Sequence, residues 1–317
     1  MSLAHHRIAL DRIKKAREII DPVFLGSPQY NCEPLSQLLG TELILKIETL
    51  NPIRSFKGRG ADFLLSQLSK ETHLMCASAG NFGQAMAYTC RKKGIKLIVY
   101  ASTKANPYKI ERMRGLGAEV ILFGDDFDSA KEEAKKQAEK TGIRMIEDGL
   151  AAETIEGAGT IALELIELEK LDAVLIPLGN GALFNGVARA FKELSPETKM
   201  IAVQAAGAPA MIDSWKANKL IINDTIQTIA DGIGVRIPIQ EALDDMKDLA
   251  DEGIVVKEDS IIRGMKLLHT YAGVVCEPSG AVGVAAILEN KKKFEGKRIG
   301  TIICGGNLTE TQIKDWL

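Results

Sequence analysis

The sequence predicts an α/β fold built on mostly parallel sheets. Short apolar runs alternate with helical segments in two successive series, and glycine-containing breaks fall where a helix would hand over to a strand. No proline-rich linker or low-complexity stretch interrupts this rhythm.

A charge-rich helical pattern follows Arg7. In the first series, the apolar runs at 73–77, 96–100, 119–122 and 144–146 read as strands, with helices near 83–93, 107–116 and 127–140 between them. The run Lys131-Glu132-Glu133-Ala134-Lys135-Lys136 places opposite charges at helical spacing and reads as a solvated face. The second series starts after Glu147 with helix 154–168, strand 173–178, helix 183–193 and strand 200–204. Helices at 209–217, 239–249, 260–271 and 282–289 follow, then a continuous apolar strand at 298–304 and a last short helix. At 317 residues the chain can fill two cores, and two closely packed regions are expected.

Composition excludes several classes of function. Lys and Arg total 40 against 42 Asp and Glu, with no dense basic run, so nucleic acid is not an expected partner. No apolar run approaches the ~18 residues that cross a bilayer. The charged segment after His5, His6 and Arg7 is unlike a secretion signal. Cys32, Cys76, Cys90, Cys276 and Cys304 are odd in number and lack C-x-x-C spacing, which points to a reducing cytoplasm and away from disulfides or zinc. His73 and His269 lie far from each other and from the His5-His6 pair, so no histidine metal site is expected.

Four short stretches carry candidate chemistry. Asn51-Pro52-Ile53-Arg54-Ser55-Phe56-Lys57-Gly58-Arg59-Gly60-Ala61 places one lysine at a helix start in an apolar setting. Lys57 is a candidate imine-forming amine, because partial burial favours the neutral amine that attacks an aldehyde. A solvated helix-start charge is the plain alternative. In Leu178-Gly179-Asn180-Gly181-Ala182-Leu183 a strand hands over to a helix through small residues, which suits a phosphate on backbone N–H groups or is simply a tight turn. Phe184 replaces the third glycine of G-x-G-x-x-G, and no Gly-Lys-Ser/Thr follows, so neither a dinucleotide fingerprint nor a P-loop is present. Ser78-Ala79-Gly80-Asn81 offers a hydroxyl, an amide and helix-start donors for a carboxylate. Cys304-Gly305-Gly306-Asn307 follows a strand, where Cys304 is either a ring contact or a buried core thiol. Ligands collect at the carboxyl ends of strands in open α/β sheets, so these turns and Lys57 would converge on one cleft.

These residues resemble a known family. Ser55-Phe56-Lys57-Gly58-Arg59-Gly60-Ala61, Ser78-Ala79-Gly80-Asn81, Gly157-Ala158-Gly159-Thr160-Ile161-Ala162 and Cys304-Gly305-Gly306-Asn307 are similar to the fold-type II pyridoxal-phosphate enzymes. Thr228-Ile229-Ala230-Asp231-Gly232 and Glu277-Pro278-Ser279-Gly280-Ala281 add to the match and resemble the threonine/serine dehydratase branch. The resemblance implies two open, twisted, mostly parallel sheets flanked by helices, like the tryptophan synthase β subunit. Residues 1–72 and 148–317 would form a large cofactor-binding domain, and 73–147 a small domain that takes the substrate carboxylate.

By that resemblance Lys57 would hold pyridoxal 5'-phosphate as a Schiff base and later take the α-proton. Phe56 would pack on the cofactor, Asn81 would bond its ring hydroxyl, and Gly179, Asn180, Gly181, Ala182 and Leu183 would hold the phosphate. Cys304 would face the pyridine nitrogen, and Ser78, Ala79, Gly80 and Asn81 would receive the carboxylate. The implied reaction is loss of water from L-threonine or L-serine, with the phosphate helping to protonate the departing hydroxyl, giving a 2-oxo acid and ammonia. β-Replacement of the cysteine-synthase kind and a catalytically idle cofactor-binding homologue are the alternatives. A homodimer or higher homo-oligomer is expected.

The chain also departs from the family pattern. Asn180 and Ala182 interrupt the usual glycine-rich phosphate loop. Ala79 stands where the family's serine racemases use a serine as the second acid/base, which disfavours racemisation. The segment Val203-Gln204-Ala205-Ala206-Gly207-Ala208-Pro209-Ala210 lacks carboxylates for the divalent cation of those relatives, so no metal is expected there. The chain ends soon after Asn307, so feedback through a C-terminal regulatory domain is not expected.

Overall fold

A computed structural model describes residues 6–168 and 170–317. The readings made for His5 fall outside them. In chain order the elements begin with α1 (Leu10–Ile19), β1 (Gln29–Asn31), α2 (Glu33–Leu39), β2 (Glu42–Ile47) and α3 (Lys57–Ser66). The first βα series comprises β3 (His73–Ala77), α4 (Asn81–Lys93), β4 (Lys96–Ala101), α5 (Pro107–Gly115), β5 (Glu119–Leu122), α6 (Phe127–Thr141) and β6 (Arg144–Ile146). The second opens with α7 (Ala152–Leu165), β7 (Ala173–Pro177), α8 (Ala182–Leu194), β8 (Lys199–Ala205), α9 (Ala210–Ala217) and α10 (Gln240–Met246). It closes with β9 (Glu252–Val256), α11 (Glu258–Ala272), α12 (Pro278–Glu289), α13 (Lys291–Phe294), β10 (Arg298–Ile303) and α14 (Glu310–Trp316).

Local chemistry fixes many of the helix ends. The Asp126 carboxylate accepts from Ser129 N–H at 2.8 Å to start α6, and Asn106 accepts from Tyr108 N–H at 2.9 Å to start α5 beside Pro107. Gly142 ends α6 in the left-handed conformation that a side chain would strain. The face of α6 is less solvated than its charge pattern predicts. Lys131 and Lys135 reach back to Glu147, at 2.8 and 3.6 Å.

The strands form two sheets, as expected. One has the order β1-β2-β10-β7-β8-β9 and is parallel apart from β1; the other, β5-β4-β3-β6, is entirely parallel. In the larger sheet, α7 and α8 cover one face with residues such as Ile155, Ile161 and Val187, while α11 and α12 cover the other with Ile261, Met265 and Val282. Burying these apolar faces is the main stabilising contribution. The Gly157 motif serves packing. A Cβ there would lie 2.6 Å from Arg59 O and 2.6 Å from Gly60 Cα, so small residues let α7 lie against α3.

Beneath α3 lies a buried charge network. The Arg59 guanidinium donates to Glu48 Oε2 at 2.9 Å and to Glu164 Oε1 at 2.6 Å, and Lys46 pairs with Glu164. Two cations thus balance two carboxylates among β2, α3 and α7. Burial works to raise the Glu164 carboxyl, but Arg59 and Lys46 outweigh it and hold it down at about 2.

Strand order places the site. In the smaller sheet the chain runs from β3 to β4 to β5 in one direction and returns to add β6 on the other side of β3. In the larger sheet it runs from β7 through β8 to β9 and returns to add β10 beside β7. Such reversals open a crevice at the carboxyl ends of the strands.

Candidate active site

The four turns leaving β3, β6, β7 and β10 line one cleft of about 440 Å³, together with Lys57. All the residues given a cofactor or carboxylate role from the sequence, Phe56, Lys57, Ser78 to Asn81, Gly179 to Leu183 and Cys304, line it.

Two of the sequence motifs are zipped together. Phe56 N–H donates to Cys304 O at 3.1 Å, Gly306 N–H donates to Arg54 O at 2.9 Å, and Ser55 bridges Gly305. Asn307 Nδ2 donates to Ile53 O at 2.9 Å. These bonds seat the start of α3 against the end of β10. Lys57 Nζ lies 4.7 Å from the centre of the Phe56 ring and 2.5 Å from Asp148 Oδ2.

The Ser78 hydroxyl oxygen accepts from Gly80 N–H at 3.2 Å and Gly83 N–H at 2.9 Å. Those bonds use its lone pairs and leave its own hydrogen to donate. Asn81 is held on both sides, donating through Nδ2 to Glu277 Oε1 at 2.7 Å and accepting from Asn307 Nδ2 at 2.8 Å. The loop from Gly179 to Leu183 enters α8, and Gly181 adopts φ 90°. A Cβ at Gly181 would lie 2.9 Å from Asn185 Nδ2, so backbone lines the loop where a side chain would not fit.

The electrostatics are set by burial. Burial pushes the Cys304 thiol well above its ordinary range, and Glu277 adds to the effect, so the sulfur stays protonated near neutral pH. Glu277 is itself raised by burial, against which Lys109 works. Burial also acts to lower Lys109, but Asp231 and Glu277 outweigh it and raise its pKa.

Sequence reasoning missed Asp148, Lys109 and Glu277 as site residues. Lys109 belongs to the charged pattern of α5, yet it is buried and reaches Asp231 at 2.5 Å. Glu277 lay within a quoted motif without an assigned role. Asp148 is the second of two adjacent acids, Glu147-Asp148, that follow β6, and its position at a strand end was the one available signal. Among the described residues no cluster of three or more His, Cys, Asp or Glu could hold a metal ion. All five cysteines are free and buried.

The fold and the cleft together define an α/β protein with a small-molecule-sized cleft that is lined by a lysine amine at a helix start. The sequence matches the family described as pyridoxal-phosphate dependent enzyme over residues 20–305, and the chain belongs to it. It is 37% identical over 310 residues to an L-threonine ammonia-lyase of Thermotoga maritima, covering 96% of this chain and 77% of that one. It is 32% identical over 316 residues to a catabolic L-threonine dehydratase of Staphylococcus aureus, covering 97% and 91%. The solved structure of maize serine racemase is similar with a TM-score of 0.91 at 30% identity, covering 96% and 95% of the two chains.

The cleft fits the family's cofactor. Ser279 Oγ and Asp148 Oδ1 are buried polar atoms in its lining without a hydrogen-bond partner, and such atoms call for a polar ligand. The backbone-lined turn entering α8 suits a phosphate. The protonated thiol of Cys304 suits an unprotonated ring nitrogen.

Proposed function

We propose that this protein is a pyridoxal-phosphate-dependent ammonia-lyase that removes water from a small β-hydroxy L-amino acid, L-threonine or L-serine. A 2-oxo acid and ammonia are released. The observation that carries this reading is the convergence of Lys57 with the turns after β3, β7 and β10 on one cleft.

The bound cofactor supplies an electron sink for the pair of electrons left at Cα. In this reading Lys57 holds the cofactor and, once displaced by substrate, takes the α-proton. Phe56 packs against it. The N–H groups between Gly179 and Leu183 receive the phosphate, and the start of α8 adds partial positive charge there. The Cys304 thiol does not favour a protonated ring, so prompt loss of a β-substituent is preferred over a long-lived carbanion. The Ser78 hydroxyl and the start of α4 orient the substrate carboxylate, while Asn81 lies beside the cofactor ring hydroxyl.

This reading divides the chain into residues 73–147, which take the carboxylate, and 1–72 with 148–317, which hold the cofactor. Ala79 offers no group to move a proton, so the likeness to a serine racemase does not extend to racemisation. Work in a reducing cytoplasm is supported by the free cysteines, and a homodimer or higher homo-oligomer by the resemblance.

The test is to incubate the purified, cofactor-loaded protein with L-threonine and with L-serine and to assay the 2-oxo acid. Product from at least one supports the reaction; product from neither contradicts it.

A further inference from the structure

Resting on the proposed elimination, we infer that Asp148 is a catalytic residue whose carboxylate relays the proton taken by Lys57 to the departing β-hydroxyl. Asp148 leaves the carboxyl end of β6, on the far side of the strand-order reversal from Ser78, and its Oδ2 meets Lys57 Nζ at 2.5 Å. Both side chains are 16% exposed, so the contact lies inside the cleft and not on open surface. Asp148 Oδ1 is buried and has no hydrogen-bond partner, although it belongs to a residue at the reacting amine. A buried acceptor left unmatched is costly unless a ligand supplies the donor, and a β-hydroxyl is such a donor.

The other charged groups nearby are already engaged. Lys109 is paired with Asp231, and Glu277 accepts from the Asn81 side chain and from Asn307 N–H. The neighbouring Gly149 also packs against the phosphate loop: a Cβ there would lie 2.3 Å from Asn180 O. Asp148 therefore sits between the amine and the turn entering α8.

Hydroxide is a poor leaving group, and its departure as water requires a proton. The Cα–H bond breaks and its proton goes to Lys57 Nζ. Lys57 passes a proton to the Asp148 carboxylate, and the carboxyl gives it to the hydroxyl oxygen. The Cβ–O bond breaks with its electron pair leaving as part of water, while the pair from Cα–H becomes the second Cα–Cβ bond. Both side chains end as they began.

The test compares two leaving groups in wild type, Asp148→Asn and Asp148→Ala: the hydroxyl of L-serine or L-threonine, and the chloride of β-chloro-L-alanine, which departs without a proton. The relay predicts that both variants lose at least about 100-fold in kcat on the hydroxy amino acid but less than about fivefold on the chloro compound. A second readout needs no turnover: absorbance of the lysine-bound cofactor against pH. Removing the carboxylate charge moves that titration to lower pH, and Asp148→Glu restores part of the change. Lys104, Lys109, Asp231, Glu277 and Cys304 line the same cleft and are unchanged in these variants.

Equal losses on the two substrates, no loss on the hydroxy amino acid, or an unmoved absorbance titration would overturn the relay and leave the cofactor phosphate as the donor. Wild type that turns over the chloro compound but neither hydroxy amino acid contradicts the proposed reaction, and the relay with it.

Discussion

Lys109 on α5 and Asp231, in the segment between β8 and α10, meet at 2.5 Å, so one ion pair ties the wall built by the smaller sheet to the wall built by the larger. Lys109 is buried there while Asp231 remains largely exposed. The same ammonium lies in the field of Glu277 and works against the rise in that carboxyl's pKa.

Replacing Lys109 with methionine removes the tie while keeping much of the apolar stem. We expect KM to rise about tenfold, ~1.4 kcal/mol, with a smaller fall in kcat, because a looser wall weakens the hold on substrate before the chemistry. Steady-state kinetics on the preferred amino acid check this. An unchanged KM contradicts the bridging role.

Asn81 acts as the link between Glu277 and Asn307. Asn81→Ala leaves one Glu277 oxygen without its 2.7 Å donor and frees Asn307 Nδ2 from one of its two acceptors. The expected cost is about 1–3 kcal/mol in folding stability, with cofactor affinity lower by about tenfold. Urea denaturation and absorbance titration with the cofactor measure the two effects separately.

The network under α3 predicts a particular response to acid. Glu164 has a folded-state pKa of about 2, below its ordinary 4.5, so the ionised form is favoured by folding. Its contribution is fully present above about pH 4.5 and is lost as the pH falls toward 2, amounting to at most about 3 kcal/mol. Glu164→Gln should flatten the acid limb of stability against pH. It should also lower stability at pH 7 by about 3–5 kcal/mol, because Arg59 and Lys46 would remain buried with one carboxylate between them. Urea midpoints from pH 7 to 3 test both statements.

The sequence disclosed the parts of the fold that rest on local pattern. The strands β3, β5 and β6 lie where continuous apolar runs place them, and α5 and α6 lie close to their expected spans because their caps are local chemistry. The region from Pro22 to Ile47 was not resolved into elements. There β2 contains Lys46 and precedes Glu48, buried charges whose partners Glu164 and Arg59 are distant in the chain or on another element. Local periodicity cannot report such compensation. β9 is short, contains Gly253 and lies at a sheet edge, so it too left little apolar signal.

The same distinction holds in the cleft. Turns rich in glycine, serine and asparagine were visible as motifs and do line it. Lys109, Asp148 and Glu277 acquire their meaning from contacts made by the fold. Lys109 resembles the other charges of its helix until Asp231 is brought to it from 122 positions away.

The central claim is that Lys57 carries the cofactor. Reducing the cofactor-loaded protein with borohydride and mapping its peptides by mass spectrometry tests this most directly, since reduction fixes the cofactor to the amine that held it. The account predicts the reduced adduct on the peptide containing Lys57, and no adduct in Lys57→Ala. An adduct on a different lysine in the wild-type protein, or one that persists in Lys57→Ala, would contradict it.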